Sequence, residues 1–211
     1  MKPQQISNEF ATWIDNRIAS YTDPDRAEWQ PIENYLQWNA MFVTFMFDKR
    51  KIAGRQSEMS DSSSTSSKQV NSPQAFNIDR FYKRMCRSLL GSHYARKREE
   101  QPLMIAGADV NGTRYWKTSG ELQNQHVHSI WVFKPGQLEK AKSKFASVDL
   151  DTREYDFANI DVKPIASYRR DGEANSAVAS YVSKFLGFNA IDMRILDDLL
   201  SYPEYKQHRI I

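Results

Sequence analysis

The sequence predicts an α+β fold in which helices cover an antiparallel sheet, and three observations carry that prediction. Apolar runs of strand length alternate with segments of helical periodicity in the order strand, helix, strand, strand, helix, strand, helix through the middle of the chain. Turn and stop signals separate these segments, at Thr22-Asp23-Pro24-Asp25, Gly91, Asn111-Gly112 and Gly187. At 211 residues the chain has room for one domain with a substantial core and additions at its ends, whereas two full domains would be cramped.

Each element follows from its own pattern. Ile6, Phe10, Trp13, Ile14 and Ile18 recur at helical spacing, so a helix is predicted over 6–20 with Ser7 as its N-cap. A second short helix is expected over 31–38. Ala40-Met41-Phe42-Val43-Thr44-Phe45-Met46-Phe47 is almost continuously apolar and of strand length, which suits a central strand. The polar tract 57–72 contains Asp61-Ser62-Ser63-Ser64-Thr65-Ser66-Ser67, buries too little to order itself, and is expected to be a disordered loop. Phe76, Ile78, Phe81, Met85, Leu89 and Leu90 mark a strong helix over 73–90 that stops at Gly91. Strands are predicted over 103–110, about 125–133 and 160–165, with a Lys-rich helix over 135–146 between the last two. A helix over 175–186, capped by Asn175 and closed by Gly187, precedes a last helix over 191–200. This order is that of the ferredoxin-like (RRM-like) fold: a βαββαβ core with two crossover helices on one face and extra terminal helices. The expected divisions are a helical extension over 1–39 packing on the core, a main domain over 40–190, and a C-terminal helix and tail over 191–211.

Composition narrows the function classes. A single cysteine, Cys86, excludes an internal disulfide, and its apolar neighbours suggest a buried, reduced thiol. A formal charge of +3 is only mildly basic, so any nucleic-acid surface must come from local clusters. Without a long apolar segment or a signal-peptide core, the chain is expected to be cytoplasmic and independent of membranes.

Two of the four histidines sit one residue apart in Gln125-His126-Val127-His128-Ser129-Ile130-Trp131-Val132-Phe133. Side chains alternate along a strand, so His126 and His128 share a face and can grip one metal ion, while Val127 points to the opposite layer. A divalent ion needs at least one further ligand. Asp109, on the strand expected to pair with the histidine strand, and Glu121, just upstream of His126, are equal candidates: a long loop favours the first and a short hairpin the second. Downstream, Tyr181 and Lys184 are three apart on the helix that Val178, Val182 and Phe185 dock, and therefore adjacent on its surface. A phenol is a poor nucleophile at neutral pH, but a metal that polarises a phosphodiester and a neighbouring ammonium together supply what attack on phosphorus needs.

Histidine-hydrophobic-histidine on a strand followed by Tyr-x-x-Lys on a helix resembles the HUH single-strand DNA endonucleases, in particular the replication initiator (Rep) branch of single-tyrosine type. Phe42-Val43-Thr44-Phe45-Met46 is similar to that family's first motif, His126-Val127-His128 to the second and Tyr181-Val182-Ser183-Lys184 to the third, and 160–165 resembles the strand before the tyrosine helix. The resemblance spans roughly residues 40–187. It implies a nickase that requires Mg2+ or Mn2+, cuts single-stranded DNA at an origin hairpin and keeps the 5′ end on tyrosine. Rolling-circle replication of a plasmid or phage would follow. Tyr181 is then the nucleophile, Lys184 its assistant, and His126 and His128 metal ligands. Tyr168 lies outside the motif helix, so a single tyrosine serves. No Gly-x-x-x-x-Gly-Lys-Ser/Thr loop is present, so unwinding and synthesis fall to a host helicase and polymerase.

Local basic clusters offer the DNA contacts: Lys49 and Arg50 with Lys51, Arg84 with Arg87, Arg96, Lys97 and Arg98, and Arg169 with Arg170. Tyr82, Tyr94, Tyr115, Trp116 and Tyr168 lie among or near them, and cations on phosphates with rings on unpaired bases suit a single strand. Two other functions remain compatible with the same fold: a non-catalytic DNA-binding or replication-control protein, and a single-strand DNA transposase.

Overall fold

The computed structural model describes residues 3–61, 72–110, 125–148, 154–165, 168, 172–184 and 199–203. Its helices are α1 (Pro3–Thr22), α2 (Ile32–Asn39), α3 (Lys49–Asp61), α4 (Pro73–Leu90), α5 (Leu138–Ala146) and α6 (Ala177–Ser183). Its strands are β1 (Ala40–Phe47), β2 (Leu103–Val110), β3 (Gln125–Val132), β4 (Phe157–Pro164) and β5 (Leu200–Tyr202). All strand pairs are antiparallel, in the spatial order β4-β1-β3-β2-β5. The first four reproduce the ferredoxin-like arrangement: α4 crosses from β1 to β2, α5 from β3 to β4, and the histidine strand lies in the middle.

Strand alternation sorts the sheet into two faces. Met41, Val43, Phe45 and Phe47 of β1 point with Val127 and Trp131 of β3 toward α4 and α5, where Phe81, Met85 and Phe145 complete the larger core. Aromatic rings fill it: Phe81 meets Phe45, Trp131, Phe145, Tyr155 and Phe157 at centroid separations of 5.3–6.0 Å. On the opposite face, Ile105, Ile130 and Val132 are covered by Ala11, Ile14 and Ile18 of α1, Leu36 of α2, and Ala179 and Val182 of α6. The N-terminal extension is therefore half of a second core. Cys86 is buried in the first, and burial pushes its thiol up to about 12, which keeps it protonated.

Several boundaries differ from expectation for identifiable reasons. Residues 57–61 are helical, because α3 begins where the Asp48 carboxylate accepts the amides of Arg50 and Lys51 and is anchored by buried Ile52. Ser72 is the N-cap of α4, its Oγ accepting the amide of Ala75; the rest of the expected disordered loop, 62–71, lies outside the described residues. Gly91 ends α4 at φ +85°, as its sequence suggests. Ser7 is not a cap but lies within α1, which starts earlier. Ser176, rather than Asn175, caps α6, its Oγ accepting the amide of Ala179. Leu200 belongs to an edge strand paired with β2 and not to a helix; 191–198 lie outside the described residues, as does Asn111-Gly112. Among the described residues, no helix is long and apolar enough to cross a membrane.

Candidate functional site

The sheet register assembles the site. Antiparallel pairing sets Asp109 of β2 directly opposite His126 of β3, and Gly107 opposite His128. Paired residues point to the same face, so the carboxylate stands beside both imidazoles. Asp109 Oδ2 lies 3.5 Å from His126 Nε2 and 3.2 Å from His128 Nε2. All three residues are buried, and their ligand atoms fall within 4.8 Å of one another. Of the two carboxylates suggested as third ligand, Asp109 is the one brought here; Glu121 lies outside the described residues.

The charge states suit a metal centre. Burial alone would raise the Asp109 pKa, but hydrogen bonds from His126, His128 and Lys184 outweigh it and hold the carboxyl well below the usual range. Burial pushes the His128 pKa down against the opposing bond to Asp109, which leaves a neutral imidazole. On its far side, His128 Nδ1 lies 3.0 Å from Thr44 Oγ1. A hydroxyl both donates and accepts, so Thr44 supports either tautomer: it donates to Nδ1 when Nε2–H faces Asp109, and accepts from Nδ1–H when the Nε2 lone pair faces a cation. Two imidazole nitrogens and an ionised carboxylate oxygen on one face form a donor set that fits a divalent ion.

Helix α6 brings the remaining groups. Lys184 Nζ lies 2.5 Å from Asp109 Oδ2 and 4.3 Å from the centre of the Tyr181 ring. The Tyr181 ring meets His128 edge-on at 4.6 Å and Phe42 at 5.7 Å, while 46% of the residue stays exposed beside the buried triad. A substrate can therefore reach the tyrosine from solvent. This approach depends on Gly107: a Cβ there would collide with the backbone oxygen of Val182, so only glycine lets the end of α6 lie against β2.

The basic residues are distributed unevenly. Lys49 and Arg50 are exposed just beyond the end of β1 at which Met46 pairs with His126, the site's end of the sheet. Arg96, Lys97 and Arg98 are exposed before the start of β2, six residues of strand, roughly 20 Å, from Asp109. Arg169 and Arg170 lie outside the described residues, as do Tyr115 and Trp116. Arg84 is engaged by Glu154. Tyr82 and Tyr168 are not stacking platforms: both are buried, with hydroxyls donated to the Pro102 carbonyl and to Asp15 respectively. Sequence reasoning missed Thr44 and Gly107, whose roles appear only once the strand register is known. The chain matches no protein-family model, no curated protein and no solved structure.

Proposed function

We propose that this chain is a metal-dependent, sequence-specific nickase of single-stranded DNA that initiates rolling-circle replication of a plasmid or phage. The observation that carries the reading is the convergence of Tyr181 and Lys184 from α6 on the Asp109-His126-His128 triad. A divalent ion bound there supplies Lewis-acid polarisation of the scissile phosphodiester. His126, His128 and Asp109 hold it, and Thr44 fixes the ring of His128. Tyr181, exposed next to the triad, is the nucleophile: its oxygen bonds to phosphorus, the P–O3′ bond breaks, and the departing O3′ takes up a proton equivalent to the one lost by the phenol. The products are a 5′-phosphotyrosine and a free 3′ hydroxyl. Lys184, 4.3 Å from the centre of the Tyr181 ring and bonded to Asp109, stands where its ammonium group can stabilise the charged phosphorane. Lys49 and Arg50, at the site's end of the sheet, are the best-placed described members of the basic clusters to contact DNA phosphates.

The decisive experiment incubates the protein with end-labelled single-stranded DNA, including a random-sequence library, and Mn2+ or Mg2+. A covalent protein–DNA adduct that disappears in Tyr181→Phe while DNA binding persists is the expected result, and the sequence of the trapped strands identifies the origin. Wild-type nicking by Tyr181→Phe would remove Tyr181 as nucleophile. Intact DNA with every metal and sequence would reduce the chain to a binding protein.

A further inference from the structure

Helix α6 carries Tyr181, and Lys184 is its C-cap residue. Its placement is restrained from outside, and the polar part of that restraint comes from α1. At the start of α6, three donors converge on the buried carboxylate of Asp15: Ser176 Oγ at 2.6 Å from Oδ1, Tyr168 hydroxyl at 2.8 Å from Oδ1, and the Ser176 amide at 2.7 Å from Oδ2. Ser176 is the cap residue itself, and the backbone oxygen of Tyr168 accepts the amide of Ala177 at 2.8 Å. At the other end, two turns earlier on α1, Ser7 Oγ donates to the Ser183 carbonyl at 3.0 Å. Between them Ala11 and Ile14 belong to the same apolar cluster as Ala179 and Val182.

We infer that Asp15 is a positioning residue for the reaction proposed above, acting through Ser176. With the start of α6 held by Asp15 and its end by Ser7, the tilt that lays Tyr181 beside His128 and Lys184 on Asp109 is fixed. The role rests on the nickase reading, but the clamp is a physical arrangement that can be tested without cleavage. A carboxylate is required because three donors need two acceptor oxygens. Asn at this position offers one oxygen and turns an NH2 group toward donors.

The test compares full-length wild type with Asp15→Asn in three measurements: hydrogen exchange of 177–184 against 125–132, the Tyr181 ring-proton shifts set by the adjacent His128 ring, and single-turnover adduct formation against oligonucleotide affinity. Expected are exchange in α6 faster by roughly tenfold to a hundredfold, as for loss of one buried hydrogen bond, with β3 unchanged and the Tyr181 signals displaced. Adduct formation should fall roughly tenfold to a hundredfold with oligonucleotide affinity unchanged. Wild-type α6 exchange and Tyr181 shifts would overturn the inference, and so would an equal rise in exchange across α6 and β3, which marks general destabilisation. Should Asp15→Asn fail to fold, Ser7→Ala, which removes a single bond at the other end, is judged by the same criteria. A wild type that cuts no DNA sinks the nickase reading, while exchange and Tyr181 shifts still decide the clamp.

Discussion

Replacing Gly107 with alanine separates the two halves of the proposed site. The new Cβ would overlap the Val182 backbone oxygen and sit 3.2 Å from Val182 Cγ1 and 3.3 Å from Val182 C. To restore the roughly 3.5 Å separations of ordinary contact, α6 must back away by about an ångström. Overpacking of this kind costs about 1–3 kcal/mol, partly offset by about 0.4–1 kcal/mol from the stiffer unfolded chain, so a net loss of about 1–2 kcal/mol is expected. For a chain of this length that is a fall in Tm of several degrees, roughly 2–4 °C per kcal/mol. Asp109, His126 and His128 belong to β2 and β3, and the displacement reaches them only through the Lys184–Asp109 contact, so Mn2+ affinity measured by titration calorimetry should change less than the rate. Tyr181 and Lys184 move with α6, and a displacement of about an ångström is expected to slow adduct formation by roughly a hundredfold. Adduct formation at the wild-type rate would refute the argument that close docking of α6 on β2 sets the catalytic geometry. So would a loss of metal affinity as large as the loss of rate, because the effect would then lie in the triad.

Thr44→Val keeps the shape of β1 but removes the partner of His128 Nδ1, so Mn2+ affinity should drop roughly tenfold to a hundredfold without unfolding; an unchanged calorimetric titration would deny Thr44 its supporting role. Joint replacement of His126 and His128 by alanine should abolish metal-stimulated adduct formation while the circular dichroism spectrum is kept, and full activity in chelator would contradict the metal assignment. Asp156 gives a pH prediction far from the site: burial would raise its pKa, but Arg55 and Asn77 outweigh this and hold it below the usual range. Its contribution is therefore complete above the ordinary aspartate pKa of about 4 and is lost as pH falls through the depressed folded value. Asp156→Asn should cost about 3 kcal/mol at neutral pH, the low end for a broken buried pair because the Arg55 side chain keeps 24% exposure. Urea titrations at a series of pH values should show this gap closing in acid; a gap of constant size down to about pH 2 would refute it.

The elements most legible in the sequence are those whose pattern and boundaries come from the same residues. Ala40–Phe47 is apolar but for Thr44 and ends at Asp48, and the apolar stripe of Pro73–Leu90 ends at Gly91, so burial and termination agree. Helix α3 was not legible, because among its described side chains only Ile52 is buried, and it is tied down by pairing of Arg55 with Asp156, about a hundred residues away. Leu200, the first residue of edge strand β5, fell at the end of the helix expected over 191–200, because Leu200–Tyr202 is too short for alternation to count and its strand form is imposed by Met104, Ile105 and Ala106 across the ladder.

The site divides in the same way. His126 and His128 declare a shared face through spacing alone, since alternation is a property of one strand. Asp109 could not be preferred to Glu121 from sequence, because the choice depends on which residue of β2 faces His126. That register is settled by the ladder, buried from Leu103 opposite Val132 to Asp109 opposite His126; a slip by one residue would turn the apolar side chains of β2 to the wrong face and carry Asp109 away from the histidines. The candidate third ligand is thus positioned by the packing of Met104, Ala106 and Ala108 on one face and Leu103 and Ile105 on the other. Tyr181 and Lys184 depend on still longer links, through Gly107 on β2 and Asp15 and Ser7 on α1. The nearer a group stands to the proposed chemistry, the more its placement rests on residues without chemistry of their own, and Gly107→Ala should therefore raise the reaction barrier by about 2.7 kcal/mol, the equivalent of the hundredfold slowing, beyond the loss of about 1–2 kcal/mol in stability.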